Sequence, residues 1–145
     1  MKEGFTSILL VEDDAVIALS EMKMLKRAGY SVMIASSGKE AIDLFRWSPN
    51  SFDLILMDID LGSGMDGTEC AQEILRTHEL PILFLSSYKE GEVVEKTKRI
   101  TNCGYVMKSA DFSILEASIK MALETFQAHK ILDPGFPIDF NGFGA

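Results

Sequence analysis

Cysteine, proline and tryptophan are scarce in this chain of 145 residues, which has two Cys, four Pro and one Trp. Cys70 and Cys103 stand alone, with neither CxxC spacing nor the density of a disulfide scaffold, so a cystine-stapled fold is excluded and reduced thiols are expected. No apolar run approaches the ~18 residues that a membrane span needs. Met1-Lys2-Glu3-Gly4 also lacks the apolar region of a signal peptide, so the expected setting is cytoplasmic, with no membrane partner. Basic charge is short as well. Lys and Arg number 14 against 22 Asp and Glu, a net charge of -8, whereas a nucleic-acid surface needs clustered cations to neutralise phosphates. Direct nucleic-acid binding is therefore not expected. Internal repeats and low-complexity linkers are absent too.

What is present is a series of short apolar runs that end in reactive side chains. Phe52-Asp53-Leu54-Ile55-Leu56-Met57-Asp58 is bounded by Pro49-Asn50 and Gly62 and is too brief for a typical helix. It reads as a buried parallel strand that carries Asp58 to the end of a sheet. Ser7 to Val11 ends in Glu12, Asp13 and Asp14; Pro81 to Leu85 ends in Ser86-Ser87; Tyr105-Val106-Met107 ends in Lys108. Tyr30 to Ala35 supplies the remaining strand.

Helical patterns fill the intervals. Ala15, Ala18, Leu19, Met22 and Leu25 predict an apolar stripe on a helix closed by Lys26, Arg27 and Gly29. Ser36-Ser37-Gly38 opens a second helix that runs to about Trp47 and stops before Pro49. Asp66 or Thr68 caps a third, which turns Ala71, Ile74 and Leu75 inward and ends near His78. A polar helix over about 90–101, with Val93, Val94 and Ile100 as its few apolar positions, is expected to be the least buried. Asp111 caps a last helix that faces the core with Leu115, Ile119, Ala122 and Phe126. Five strands alternating with five helices predict one doubly wound α/β domain over residues 1–128, with 129–145 as a C-terminal tail or the start of a linker.

In a parallel sheet the carboxyl ends of the strands share one edge, where ligands bind, so Glu12, Asp13, Asp58, Ser86 and Lys108 converge on one crevice. Taken singly, each has a bland reading: an acid that stops a strand, a turn serine, a surface lysine. Four such strand ends together outweigh those readings. Carboxylates a few ångströms apart repel by roughly 4 kcal/mol per close pair at an effective dielectric of ~20, which protonation or a cation relieves. Oxygen-only donors favour Mg2+, or Mn2+ in its place, over Ca2+, which takes more protein oxygens. A cation beside a carboxylate, a hydroxyl and an ammonium suits phosphoryl transfer. Asp58 is then the nucleophile, Lys108 its partner before transfer and the phosphoryl group's partner after, and Ser86 a donor to a phosphoryl oxygen.

With these residues in view, the chain resembles a response-regulator receiver domain, the phosphoacceptor half of two-component signalling. The resemblance rests on Ile8-Leu9-Leu10-Val11-Glu12-Asp13, Leu54-Ile55-Leu56-Met57-Asp58, Met65-Asp66-Gly67, Pro81-Ile82-Leu83-Phe84-Leu85-Ser86 and Gly104-Tyr105-Val106-Met107-Lys108, and covers about residues 6–128. It implies the flavodoxin-like (βα)5 fold, strand order 2-1-3-4-5. It implies that Asp58 accepts a phosphoryl group from the phosphohistidine of a sensor histidine kinase or phosphotransfer protein. Glu12 and Asp13 become the acidic pair behind Mg2+, Glu12 acting through water, and the backbone carbonyl of Asp60 a further metal ligand. Ser86 becomes the switch hydroxyl and Tyr105 the aromatic that swings inward with it. The chain would catalyse only its own Mg2+-dependent phosphorylation and dephosphorylation, and would dimerise or dock a partner through helix 90–101, strand 104–108 and the last helix. Asp60 and Tyr88 would border the path of the hydrolytic water.

The chain departs from that family at three places. After Asp58 it has Gly62-Ser63-Gly64 where a proline is usual, and one more residue before Met65, which predicts looser loop geometry. Ser109 follows Lys108 where the family has a proline in a cis peptide, and since a non-proline cis bond costs about 3 kcal/mol the isomer stays open. Ser87 stands where a small residue is expected and leaves room for a phosphate. Asp58-Ile59-Asp60 also resembles the Asp-x-Asp of haloacid-dehalogenase-type phosphatases, with Asp60 as general acid. That family needs a cap or a longer chain and has its acidic pair late, whereas here the pair comes first. Intact Asp13, Asp58, Ser86 and Lys108 argue against a degenerate docking scaffold. Acids after the first strand, where a phosphate-binding loop belongs, argue against a flavin-binding flavodoxin. The tail is too rich in Phe for a typical solvated segment.

Overall fold

Strands and helices alternate through the residues described in the computed structural model, which are 5–62, 64–87, 89–100 and 103–132. The order is β1 (Ser7–Val11), α1 (Ala15–Arg27), β2 (Ser31–Ala35), α2 (Gly38–Trp47), β3 (Leu54–Asp58), α3 (Gly67–Leu75), β4 (Ile82–Ser86), α4 (Glu90–Thr97), β5 (Cys103–Met107) and α5 (Phe112–Leu132). The sheet runs β2-β1-β3-β4-β5 with every pair parallel, which is the flavodoxin-like doubly wound topology expected above.

Central strands of such a sheet are covered on both faces, and all five residues of β3 and of β4 are buried. Alternation then sorts the side chains. Leu9, Val11, Ile55, Met57 and Phe84 pack with Phe45 of α2, Ala71 and Ile74 of α3 and Val93 of α4. Ile8, Leu10, Leu54, Leu56, Leu83 and Leu85 pack with Ala18 and Leu25 of α1 and Leu115, Ile119 and Ala122 of α5. Of the two capping candidates on α3, Asp66 does the work. Its side chain accepts the Thr68 and Glu69 N–H groups while Glu69 reaches back to the Asp66 N–H.

Three expectations are corrected. On α1, Ala18 and Leu25 are buried and Met22 half-buried, but Ala15 and Leu19 are exposed, Leu19 by 49%. At ~100° per residue, the arc facing the sheet is centred near Ala18 and Leu25 and is rotated away from Ala15 and Leu19 towards Glu21. Helix α3 ends at Leu75 rather than near His78, because Thr77 N–H bonds to the Ile74 carbonyl and tightens the last turn. Helix α4 ends at Thr97, with Val93 and Thr97 buried on it and Ile100 buried just beyond its end. Helix α5 continues to Leu132. The Lys108–Ser109 peptide is trans, since no cis bond occurs among the described residues. Nor is any helix among them long and apolar enough to cross a membrane.

Candidate functional site

Register brings the acids together. Val11 of β1 lies opposite Met57 of β3, so Glu12, Asp13 and Asp58 leave adjacent strands at the same edge. Glu12 N–H continues the pairing by donating to the Ala35 carbonyl at 3.0 Å. Glu12 and Asp58 are each 2% exposed, Asp13 is exposed, and one carboxylate oxygen from each lies within 4.8 Å of the others. Across the sheet, Lys108 N–H donates to the Ser86 carbonyl at 2.7 Å, extending the β4–β5 ladder past its last pair. The Lys108 ammonium then lies 2.9 Å from Asp58 Oδ2 and 3.6 Å from Glu12 Oε1, with its side chain 29% exposed.

The loop after β3 is anchored at its far end where it meets Asp58. Gly67 N–H donates to the Ile59 carbonyl at 2.8 Å, and a Cβ at Gly67 would run into the Asp58 carbonyl oxygen. Only glycine allows that approach. Gly62 takes a positive φ of 76°, and a Cβ there would sit 2.9 Å from Asp13 Oδ2. The extra residue of this loop is thus accommodated by glycine conformations while its ends stay fixed to the site.

Crowded, desolvated acids set the electrostatics. Burial foremost pushes the Glu12 carboxyl up to about 8, the Asp14 N–H working against it, with Asp58 adding and Lys108 opposing. Burial alone would lower the Lys108 ammonium, but Asp58, Glu12 and Glu21 outweigh it and hold it above the ordinary lysine value. Glu12 Oε1 is buried with no hydrogen-bond partner. A buried oxygen without a hydrogen bond, in an all-carboxylate donor set, fits a hard divalent cation such as Mg2+.

A stability prediction follows from Glu12. The folded chain holds the Glu12 proton up to about 8, whereas the unfolded chain releases it near 4.5. Folded protein therefore binds more protons across that window, and stability falls as pH rises through it. The melting temperature of the metal-free protein is expected to decline from about pH 5 to about pH 8, with Glu12→Gln or saturating Mg2+ removing most of the decline. Thermal unfolding at constant ionic strength checks this; an equal decline in Glu12→Gln would contradict it.

The other residues singled out from the sequence fall as follows. Ser86 is buried at the last position of β4, opposite Met107. Tyr105 is half-buried in β5 opposite Phe84. Asp60 is exposed, and its N–H donates to Asp58 Oδ1 at 3.1 Å. Tyr88 and residues 133–145 lie outside the described residues. The sequence reading missed Glu21. Burial raises its carboxyl above the ordinary value, with Lys108 opposing and Asp58 adding, and its Oε1 is buried without a hydrogen-bond partner. It lines a cavity of about 490 Å³ between α1 and the start of α5, together with Lys108, Val106 and Phe112. Its signal was a position three residues after Ala18 and four before Leu25, inside the buried arc.

Comparisons with known proteins bear on the family and the fold. Residues 8–120 match the response regulator receiver domain family. The chain is 29% identical over 121 residues to the transcriptional regulatory protein PdtaR of Mycobacterium tuberculosis, an alignment that covers 83% of this chain and 58% of that protein. The chain thus spans less than two thirds of that relative's length. Among solved structures, the N-terminal domain of a response regulator/sensory box/GGDEF 3-domain protein from Carboxydothermus hydrogenoformans is 42% identical, with a TM-score of 0.78 over 86% of this chain and 98% of that one. The response regulator protein TrrA from Thermotoga maritima in complex with Mg2+-BeF is 28% identical, with a TM-score of 0.70 over 81% of this chain and 99% of that one.

Proposed function

Since the chain belongs to the response regulator receiver domain family, the phosphoacceptors of two-component systems, we propose that Asp58 takes the phosphoryl group from the phosphohistidine of a sensor histidine kinase or a phosphotransfer protein. The observation that supports this is the meeting of Asp58 with Glu12 and Asp13 within 4.8 Å, and with the Lys108 ammonium at 2.9 Å. An Asp58 oxygen attacks phosphorus in line as the donor's N–P bond breaks and the imidazole leaves. Lys108 orients Asp58 beforehand and follows the phosphoryl group afterwards. Ser86 donates to a phosphoryl oxygen, and Tyr105 reports that movement to the surface of β5.

Asp13 and Asp58 would hold Mg2+, or Mn2+ in its place, with Glu12 acting through water and the Asp60 backbone carbonyl as a further ligand. When bound, the ion supplies charge neutralisation for the phosphoryl oxygens. The face made by α4, β5 and α5 is our candidate for dimerisation or partner docking, in a cytoplasmic setting.

Calorimetric titration of Mg2+ tests the ligand assignment. Asp13→Asn is expected to bind Mg2+ at least about tenfold more weakly than the parent, since loss of a direct ligand should cost no less than loss of an outer partner. Unchanged affinity would overturn the assignment.

A further inference from the structure

The cavity of about 490 Å³ between α1 and the start of α5 falls in the range of roughly 300–1,000 Å³ typical of small-molecule sites. Ile17, Ser20, Glu21 and Met24 reach it from α1 at the spacing of a single helix face. Leu85 and Val106, both buried in the sheet, bound it from below, and Phe112 and Leu115 bound it from α5. Ala110, in the turn between β5 and α5, offers one methyl group where a longer side chain would fill the space. The side chains that line the cavity are apolar apart from Ser20, Glu21 and Lys108. Lys108 is already engaged, its ammonium 2.9 Å from Asp58 and 3.6 Å from Glu12. Glu21 is not: its Oε1 is enclosed without a hydrogen-bond partner, and among the described residues no Lys, Arg or His forms an ion pair with it. Burial raises its carboxyl, with Lys108 opposing and Asp58 adding, so a charge at Glu21 is under-compensated where it stands.

We propose that this cavity binds a small primary amine with an apolar body, of the arylalkylamine class, its ammonium on the Glu21 carboxylate and its ring between Ile17, Val106 and Phe112. One unpaired carboxylate among apolar walls selects one cation carried on an apolar frame. A polyamine or a sugar would leave polar groups unmatched against Ile17 and Phe112. Anions are disfavoured by Glu21 and by the net charge of -8. The exposed Ser20 hydroxyl, one residue before Glu21, offers an acceptor for a second ammonium N–H. Ile17, 42% exposed in the free chain, is covered by the ring, which water in the cavity would not achieve. The site is separate from the phosphoryl chemistry at Asp58 and does not rest on it.

Titration of benzylamine into the full, unphosphorylated chain without Mg2+, followed by methyl NMR at constant pH and ionic strength, tests the assignment. Saturable shifts are expected at Ile17, Val106 and Leu115. Glu21→Gln is expected to bind benzylamine at least about tenfold more weakly, through loss of one charge-assisted hydrogen bond, while Glu21→Asp keeps part of the affinity. Benzyl alcohol, of the same size without the charge, should bind the parent as weakly as benzylamine binds Glu21→Gln. Ser20→Trp, at an exposed position beside the cavity, should block entry while the fold is kept. No saturable shift at the three methyl-bearing residues, undiminished binding in Glu21→Gln or Ser20→Trp, or equal affinity for benzyl alcohol would overturn the proposal. Shifts confined to other acidic surfaces would overturn it too, since they report attraction to net charge alone. No phosphoryl donor enters the titration, so its failure and failure of the phosphoacceptor reading appear in separate measurements.

Discussion

Asp58→Asn is expected to take up no phosphoryl label from acetyl phosphate or a kinase under conditions that saturate the parent. The amide has the same shape, but its single oxygen can accept from only one of the two donors that engage separate Asp58 oxygens, the Asp60 N–H on Oδ1 at 3.1 Å or the Lys108 ammonium on Oδ2 at 2.9 Å. The isosteric side chain keeps the space filled, one of the two contacts is lost, and the nucleophile disappears. The substitution also removes a neighbour that raises the Glu12 carboxyl, so Glu12 should titrate closer to its ordinary value and the pH dependence of stability should flatten. Intact-mass analysis measures the label, and thermal unfolding at several pH values measures the second effect. A hydroxylamine-labile label persisting in Asp58→Asn would place the acceptor elsewhere.

Lys108→Ala should have the next largest effect, and it should be felt more in stability and switching than in labelling. Its ammonium is the cation between two acids that are almost fully enclosed. Removing one partner of a buried pair costs about 3–5 kcal/mol, but this side chain is partly solvated, so about 1–3 kcal/mol is the appropriate expectation. The loss should be greater near pH 8 than near pH 5, because at the lower value Glu12 carries a proton and needs no counter-charge. Denaturant unfolding at the two pH values checks this. Some labelling of Asp58 should remain, whereas phosphorylation should no longer alter hydrogen exchange across residues 86–107. A pH-independent loss of stability, or an exchange response like the parent's, would show that Lys108 does not mediate between the acids and β5.

Much of this was legible in the sequence because a parallel sheet needs short, continuous apolar strands whose ends share an edge. Ile55, Leu56 and Met57 could hardly be anything but buried, and Asp58 had to emerge beside whatever followed Val11. The order of the strands came from the resemblance rather than from periodicity. Rotations and helix ends were less legible. Leu19 belongs to a good helical stripe, yet the sheet contacts α1 along an arc that takes in Glu21 instead, and spacing alone does not say where on a helix the contact falls. His78 looked helical because nothing before Pro81 breaks the pattern, whereas Arg76 and Thr77 N–H bond to the carbonyls three residues back, Glu73 and Ile74, and tighten the last turn. The length of α5 was hidden for the opposite reason. No glycine or proline lies between Phe112 and Pro134, so the pattern had no stop signal at 128.

Peptide mapping of the phosphorylated full chain, after borohydride reduction of the acyl phosphate, bears most directly on the role of Asp58. The predicted result is one modified aspartate, at position 58, formed when Mg2+ is present, suppressed by chelation and absent after hydroxylamine. Modification of a different residue, or labelling indifferent to chelation, would contradict it.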